Sequence, residues 1–482
     1  MNPFVTLSIL AAYFGVLLLI SYFTGKGATN LTFFTANRQS PWYLVAYGMI
    51  GASLSGVTFI SVPGEVGATA FSYFQVVLGY MVGYFVIATV LMPLYYRMNT
   101  LTIYGYLEQR FGFWAYKTGA FFFILSRVVG SSFRLFLVAS VLQLAVFNAW
   151  EVPFWVSVLV TVILIWLYTF RGGIKTIVWT DTLQTTFMLL AVLASIRLIS
   201  TELDFSFSEM ISSVRESEYS QIFFWDWKDG KSFFKQFTSG AFIAIVMTGL
   251  DQDMMQKNLT CRNLKDAQKN MFWFSLTLII VNLFFLVLGV LLYQYAFAKG
   301  IDIPLRTDNL YPMLALDYFP TAIGILFLLG ITAAAYSSAD SAMTALTTSF
   351  CVDILGLDGK ENENAGQRTR MKVHVGFTIV IFAVIILFEV MNDESVINSI
   401  FKAAGYTYGP LLGLYSFGLM MKRNIKDRWV PLVCVISPIV SYIINLNSVE
   451  WLNGYQFGFE ILILNGLLTF IGLLFISKKA GG

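Results

Sequence analysis

Three observations predict an all-α polytopic membrane protein with an inverted-repeat core. The 482 residues are 57% hydrophobic and only 12% charged, with a mean hydropathy of +0.71, whereas a soluble domain carries about 25% charged residues. Apolar stretches close to the ~20 residues that cross about 30 Å of hydrocarbon recur from end to end. Two of these stretches, the second and the seventh, are interrupted at matching places, which is the mark of a transporter built from inverted repeats with its site at the breaks.

The spans are expected at 4–24, 42–70, 73–96, 117–147, 154–170, 179–201 and 233–258, then at 269–298, 319–352, 371–391, 394–420, 428–446 and 455–477. That makes thirteen, and an odd number puts the termini on opposite faces. The first, 4–24, stands apart as a peripheral helix; a signal peptide would carry a basic segment before its apolar stretch, and here Lys26 follows it. Span 42–70 holds Gly48, Gly51, Gly56, Pro63, Gly64 and Gly67 with Ser53, Ser55 and Thr58, a poor recipe for a continuous helix. Span 233–258 carries Gly240, Gly249, Asp251, Gln252 and Asp253 towards its end. The repeats are therefore expected at 42–201 and 233–420, five spans each, with peripheral helices at 428–477. An odd number of spans per repeat obliges the second copy to enter from the opposite face. The connection 202–232, acidic and closed by Phe223-Phe224-Trp225-Asp226-Trp227, is expected to cap the outer face with its aromatics at the interface.

Basic residues orient the chain. Of 31, twenty-one fall in one set of alternate connections, including Lys26, Arg38, Arg110, Lys117, Lys257, Lys265, Lys360, Arg368, Lys422 and Lys479, and six in the other set. Four lie within spans: Arg127, Arg134, Arg197 and Lys402. The positive-inside rule then sets the N-terminus outside and the C-terminus in the cytoplasm. A net charge of +3 gives no reason to expect nucleic acid, and one His with three dispersed Cys (Cys261, Cys351, Cys434) offers no haem, zinc, iron-sulfur or disulfide framework. No cofactor is expected, and no catalytic dyad is evident, so an enzyme is not expected either.

Ionisable and hydroxyl groups in hydrocarbon need a partner or a task. Ser337, Ser338, Asp340 and Ser341 place three hydroxyls and a carboxylate within two helical turns. Hard oxygen ligands of low charge suit Na⁺; small residues that let helices pack closely would produce much of the same pattern, although packing needs no carboxylate. Asp181, in Val178-Trp179-Thr180-Asp181, reads alone as an interface anion or N-cap. Arg127 and Arg134, seven apart, share a helix face; a guanidinium fork suits a carboxylate, whether that of Asp251, Asp253 or Glu65 or that of a solute.

The chain resembles the sodium/solute symporter family over nearly its whole length. The resemblance rests on Thr32-Phe33-Phe34-Thr35-Ala36-Asn37-Arg38 before Pro41-Trp42, on Leu107-Glu108-Gln109-Arg110-Phe111-Gly112, and on Gly172-Gly173 through Trp179-Thr180-Asp181. Asp251-Gln252 with Gln256, Ser337-Ser338 running to Asp353-Ile354, and Gly409-Pro410-Leu411-Leu412-Gly413 complete it. It implies a five-plus-five inverted repeat of the leucine-transporter type. It also implies a sodium site made by the carbonyls of Gly51, Leu54 and Ala334 with the hydroxyls of Ser337 and Ser338, and in some members a second made by Asp181, Ser337, Asp340 and Ser341. The sialic-acid transporters have serine where Asp340 stands. Their carboxylate pocket is similar to Ser53, Ser55 and Thr58, with Arg127 near their substrate arginine.

The expected function is sodium-coupled import of a small organic solute by alternating access, with an anion such as sialic acid or another carboxylate favoured. Substrate contacts are expected from Ser53, Ser55, Thr58, Arg127, Arg134 and Gln252, with Na⁺ as the coupling ion and the lipid bilayer and a monomer as the setting. A neutral sugar, held by amides such as Gln75 or Gln252, remains the alternative, as does a sensor that kept the transporter fold.

Overall fold

A computed structural model describes residues 3–25, 36–98, 102–357, 363–391 and 396–478. The motif residues Thr32 to Thr35 and the basic residues Lys26, Lys360 and Lys479 lie outside them, as do residues 394–395 of the eleventh expected span. Gly172 and Gly173 lie on a helix whose side chains there are likewise outside the description.

Among the described residues the regular structure is helical, apart from a two-residue antiparallel pairing of Asn424–Ile425 with Ser477–Lys478 and a single bridge between Ser40 and Cys261. The helices that position the site are α1 (Pro3–Gly25), α2 (Trp42–Ser53), α3 (Gly56–Thr69), α4 (Tyr73–Val86), α5 (Phe113–Leu142) and α6 (Phe154–Glu202). They continue with α7 (Phe233–Ala244), α8 (Gln252–Asn258), α9 (Leu264–Lys299), α10 (Thr321–Ser349), α11 (Glu363–Met391) and α12 (Val396–Thr407). The last three are α13 (Gly409–Met420), α14 (Val430–Leu446) and α15 (Ile461–Phe475).

Among the described residues eight helices are long and apolar enough to cross a membrane, or up to ten if each of two bent pairs is one span. Three shorter apolar helices, Phe154–Leu167, Gly409–Met420 and Ile461–Phe475, occupy the places of the fifth, eleventh and thirteenth expected spans, so length and composition do not by themselves reach thirteen. The two bent pairs fall where the interrupted spans were expected. α2 and α3 meet at 53°, and the segment Phe233–Gly249 meets α8 at 72°.

Two details differ from expectation. The fifth and sixth spans lie within one 49-residue helix, α6. At about 1.5 Å per residue it is far longer than a bilayer is thick. Trp150, just before it, packs on Phe4, Thr176 within it bonds Thr24 at the other end of α1, and Phe187 packs on Tyr13 midway along α1; both apolar stretches therefore lie along α1. The eleventh span is divided into α12 and α13 around Tyr408, where Gly409-Pro410 starts a new helix, as expected of proline in a first turn.

Small residues let the central helices approach. A Cβ at Gly79 would strike the Phe237 carbonyl and one at Gly240 the Val76 carbonyl, so α4 and α7 cross almost backbone to backbone. A Cβ at Gly330 would lie 2.9 Å from Ala191 and from the Phe59 ring, which sets α10 against α6 and α3. Outside, Ser206 and Glu209 form a capping box on a short helix, Phe207–Glu216. The loop beyond it is tied to the start of α4 by Phe71 N–H to the Gln221 carbonyl (3.1 Å) and Phe224 N–H to Gln75 Oε1 (3.3 Å). Segment 202–232 thus covers the ends of α3 and α4, with Trp225 and Trp227 exposed.

Candidate functional site

The helix bonds of α2 stop where the Leu54 N–H reaches the Ile50 carbonyl at 2.8 Å, and those of α3 restart with Phe59 N–H to Ser55 at 3.2 Å. The carbonyls of residues 51 to 54 are therefore left without a helical N–H. In the seventh span the equivalent carbonyls are covered: Tyr95 donates to Gly249 at 2.9 Å and Tyr104 to Leu250 at 3.0 Å. A buried carbonyl without a donor is costly, so of the two breaks the second span's is the one whose carbonyls are open to another partner. It lies beside α6, because a Cβ at Gly48 would be 3.1 Å from that of Asp181. Asp181 in turn accepts from Ser337 Oγ on α10 at 2.6 Å. Ser338 Oγ donates to the Ala335 carbonyl at 3.1 Å, which leaves its lone pairs for an ion. The oxygens of Gly51, Leu54, Ala334, Ser337 and Ser338 expected at a sodium site are all neutral and hard, the ligand type Na⁺ takes.

Around Asp181 the structure brings together more charge than the sequence suggested. Lys257, expected in a cytoplasmic connection, is buried with 1% exposure, and its Nζ lies 2.9 Å from Asp181 Oδ2. It sits at the end of α8, whose N-terminus is capped by Asp251 accepting from the N–H groups of Asp253 (2.9 Å) and Met254 (3.3 Å). Asp253 and Lys257 are four apart and so share a face of α8. Ser341 Oγ reaches Asp253 Oδ2 at 3.3 Å and the Ser337 carbonyl at 3.0 Å, and the Ser341 N–H donates to Asp340 Oδ1 at 2.5 Å. The four residues of the second expected ion site are thus neighbours, joined by hydrogen bonds and by an ammonium of the chain itself.

The residues expected to contact a solute divide. Ser53, Ser55, Thr58, Arg127 and Arg134 all line one cavity, with Tyr73, Tyr80, Tyr84, Thr248, Asn282 and Phe401. Arg127 is already engaged: its Nη2 bonds Asp253 and its Nη1 lies 3.6 Å from Asp251 Oδ2, which in addition accepts from Tyr408 at 2.6 Å. For the Arg134 side chain no ion pair or hydrogen bond is recorded among the described residues, and its Nε is buried without an acceptor. Gln252 is not on the cavity wall; its Oε1 takes the Ile103 N–H at 2.9 Å. Gln75 is likewise spent, donating to the carbonyls of Lys231 (2.9 Å) and Ser72 (3.3 Å).

Tyr73, Ile397 and Phe401 line both this cavity and a second one bounded by Glu65, Lys231 and Phe459. Tyr73 bonds Tyr80 at 3.3 Å and stacks on Phe401 with centroids 6.3 Å apart. One aromatic layer thus separates the two cavities. Towards the other face stand the Arg127–Asp251–Asp253 cluster and the tyrosines on the break of the seventh span. Lys257, Tyr84, Thr248 and Asn282 escaped sequence reasoning. The only signal for Lys257 was its i, i+4 spacing from Asp253, and the others look like ordinary span residues.

The sequence pattern of the sodium:solute symporter family matches residues 33–427. Among curated proteins the chain is 24% identical to the sodium/sialic acid symporter NanT of Aliivibrio fischeri, over 91% of this chain and 88% of that one. It is also 24% identical to the sodium/sialic acid symporter SiaT of Proteus mirabilis, over 87% and 85%. A solved structure of a Na⁺-coupled sialic acid symporter, substrate-bound and outward-open, superposes with a TM-score of 0.82 at 20% identity, covering 98% of this chain and 99% of that one. The inverted-repeat fold of the leucine-transporter type is the one this likeness shows. With the family pattern covering most of its length, the chain belongs to the sodium:solute symporter family: it is a multi-pass sodium-coupled transporter, not an enzyme.

Proposed function

We propose that the solute is a small organic anion carrying a carboxylate, with sialic acid the first to test, and that Arg134 receives the carboxylate. The carrying observation is a guanidinium on the cavity wall with no recorded acid partner, while the nearby Arg127 is held by two aspartates. The hydroxyls of Ser53, Ser55 and Thr58 share that wall, and Asn282 Oδ1, buried with no donor, suits a solute hydroxyl or amide N–H. The neutral-sugar alternative is disfavoured because its two candidate amides, Gln75 and Gln252, are bonded elsewhere.

In this reading Na⁺ binds at the break between α2 and α3 and joins it to Ser337 and Ser338 of α10, fixing the turn that carries Ser53 and Ser55. Solute and ion then tighten each other by the same factor, and the inward sodium gradient drives import. We take the repeats as 42–201 and 233–420, the N-terminus as external, the C-terminus as cytoplasmic, the membrane as a bacterial inner membrane and the working unit as a monomer.

The test is uptake of labelled sialic acid into liposomes with Na⁺ or K⁺ outside, in wild type and in Ser338→Ala. Sodium-dependent uptake, inhibited by carboxylates and weakened at least about 10-fold in sodium affinity by the substitution, is expected from the loss of an ion ligand. Competition by neutral hexoses but not by carboxylates would overturn the anion assignment.

A further inference from the structure

The cluster of Asp181, Ser337, Asp340 and Ser341 is where some relatives of this family would place a second sodium, and here a cation is already supplied by the chain. We propose that Lys257 is a built-in cation in place of that second ion, so that the transporter binds and moves one sodium per cycle.

Geometry carries the proposal. Both oxygens of Asp181 are occupied, Oδ1 by the Ser337 hydroxyl at 2.6 Å and Oδ2 by Lys257 Nζ at 2.9 Å. Lysine and aspartate are each 1% exposed, so the pair is not a surface contact that solvent ions exchange with. A sodium ligated by the same carboxylate would stand within about 4 Å of the ammonium, where two unit cations in a medium of low dielectric repel strongly. The lysine has no easy retreat. Its carbonyl is held by the Thr260 hydroxyl at 2.7 Å and N–H at 3.1 Å, which anchors the end of α8. Its neighbour on the same helix face, Asp253, is fixed by Arg127 and by Ser341. A long basic side chain near a span end ordinarily snorkels to the interface; this one runs inward to an acid on α6.

The same reasoning gives Asp340 a place. Asp340 lies in the same cluster, accepting the Ser341 N–H at 2.5 Å. Asp340 stands where the sialic-acid transporters have a serine, and it adds a negative charge to the cluster to which Lys257 adds a positive one. Lys257 is the counter-charge of Asp181 and Arg127 that of Asp253, and Ser337, donating to Asp181, keeps its lone pairs for the sodium at the α2–α3 break.

This inference rests on the sodium-coupled reading, and the test separates the two. Equilibrium binding of radioactive sodium to the purified full-length protein, at saturation, counts ions per chain. We expect one in the wild type, with sodium-dependent uptake showing a Hill coefficient of about one. Lys257→Ser, which removes the ammonium and adds an oxygen, is expected to bind two, with the Hill coefficient rising towards two. Two ions in the wild type would overturn the proposal and leave sodium coupling intact, as would a folded Lys257→Ser protein that still binds one. No bound sodium at all would remove the coupled reading and this inference with it. Should Lys257→Ser fail to fold, the double variant Asp181→Asn/Lys257→Met removes both charges together. One bound ion is then expected, and none would mean that Asp181 ligates the single sodium, which overturns the proposal.

Discussion

Arg127 and Arg134 show how far one residue type can diverge in role over two helical turns. Both lie on α5 and both line the cavity, but only Arg127 is within reach of Asp251 and Asp253. Replacing Arg127 with Gln would leave two buried carboxylates without their counter-charge, which costs about 3–5 kcal/mol. A large fall in the thermal midpoint in detergent is therefore expected, with little folded protein recovered. Arg134→Gln removes a charged donor fork from the cavity instead. Loss of a charge-assisted pair of about 1.5–3 kcal/mol predicts a roughly 10- to 150-fold weaker carboxylate affinity. The Tm and the sodium affinity measured without solute should stay near wild type, and an unchanged carboxylate Kd would return the substrate role to Arg127.

At the scale of elements, the site exists because two helices are broken in different ways. The break between α2 and α3 leaves carbonyls open, whereas the break before α8 is sealed by Tyr95 and Tyr104 and capped by Asp251. Around them, close crossings hold the cavity walls. Gly240→Val would drive a branched side chain into the backbone of Val76. Overpacking of about 1–3 kcal/mol, or displacement of α7 with Thr248 on its extension, should appear as a lower Tm together with impaired uptake. At the other end of the fold, the two oxygens of Asp427 accept the N–H groups of Trp114 (2.7 Å) and Ala115 (2.8 Å), so a residue from beyond α13 caps α5. Asp427→Ala should cost about 1 kcal/mol, read as a modest drop in Tm with sodium and solute affinities unchanged.

For the whole molecule, one thin aromatic layer of Tyr73, Tyr80 and Phe401 bounds the cavity on one side, and the ionic cluster of Arg127, Asp251 and Asp253 lies against it elsewhere. The proposed topology follows from basic residues and can be read directly. Cys261, Cys351 and Cys434 are all buried, so a new surface cysteine will dominate labelling. Leu305→Cys, at a fully exposed position, is expected to react with an impermeant maleimide added to intact cells. Lys422→Cys should react only after permeabilisation. The reverse pattern would invert the topology and turn the direction of transport with it.

The sequence by itself determined that the chain lives in a membrane, where the broken spans fall, and which hydroxyls and carboxylate cluster on one helix. Those properties are local or cumulative: an apolar stretch declares itself by length, a broken helix by glycine, proline and serine within one span, and an oxygen cluster by spacing within two turns. Partnership was left to the tertiary structure. Which arginine is neutralised, that Lys257 turns inward to Asp181 some 76 residues away in sequence, and that Gln252 holds a backbone N–H instead of a solute all depend on how separate helices are juxtaposed. In a low-dielectric interior each charge is assigned by its nearest opposite charge in space, and distance along the chain carries no record of that.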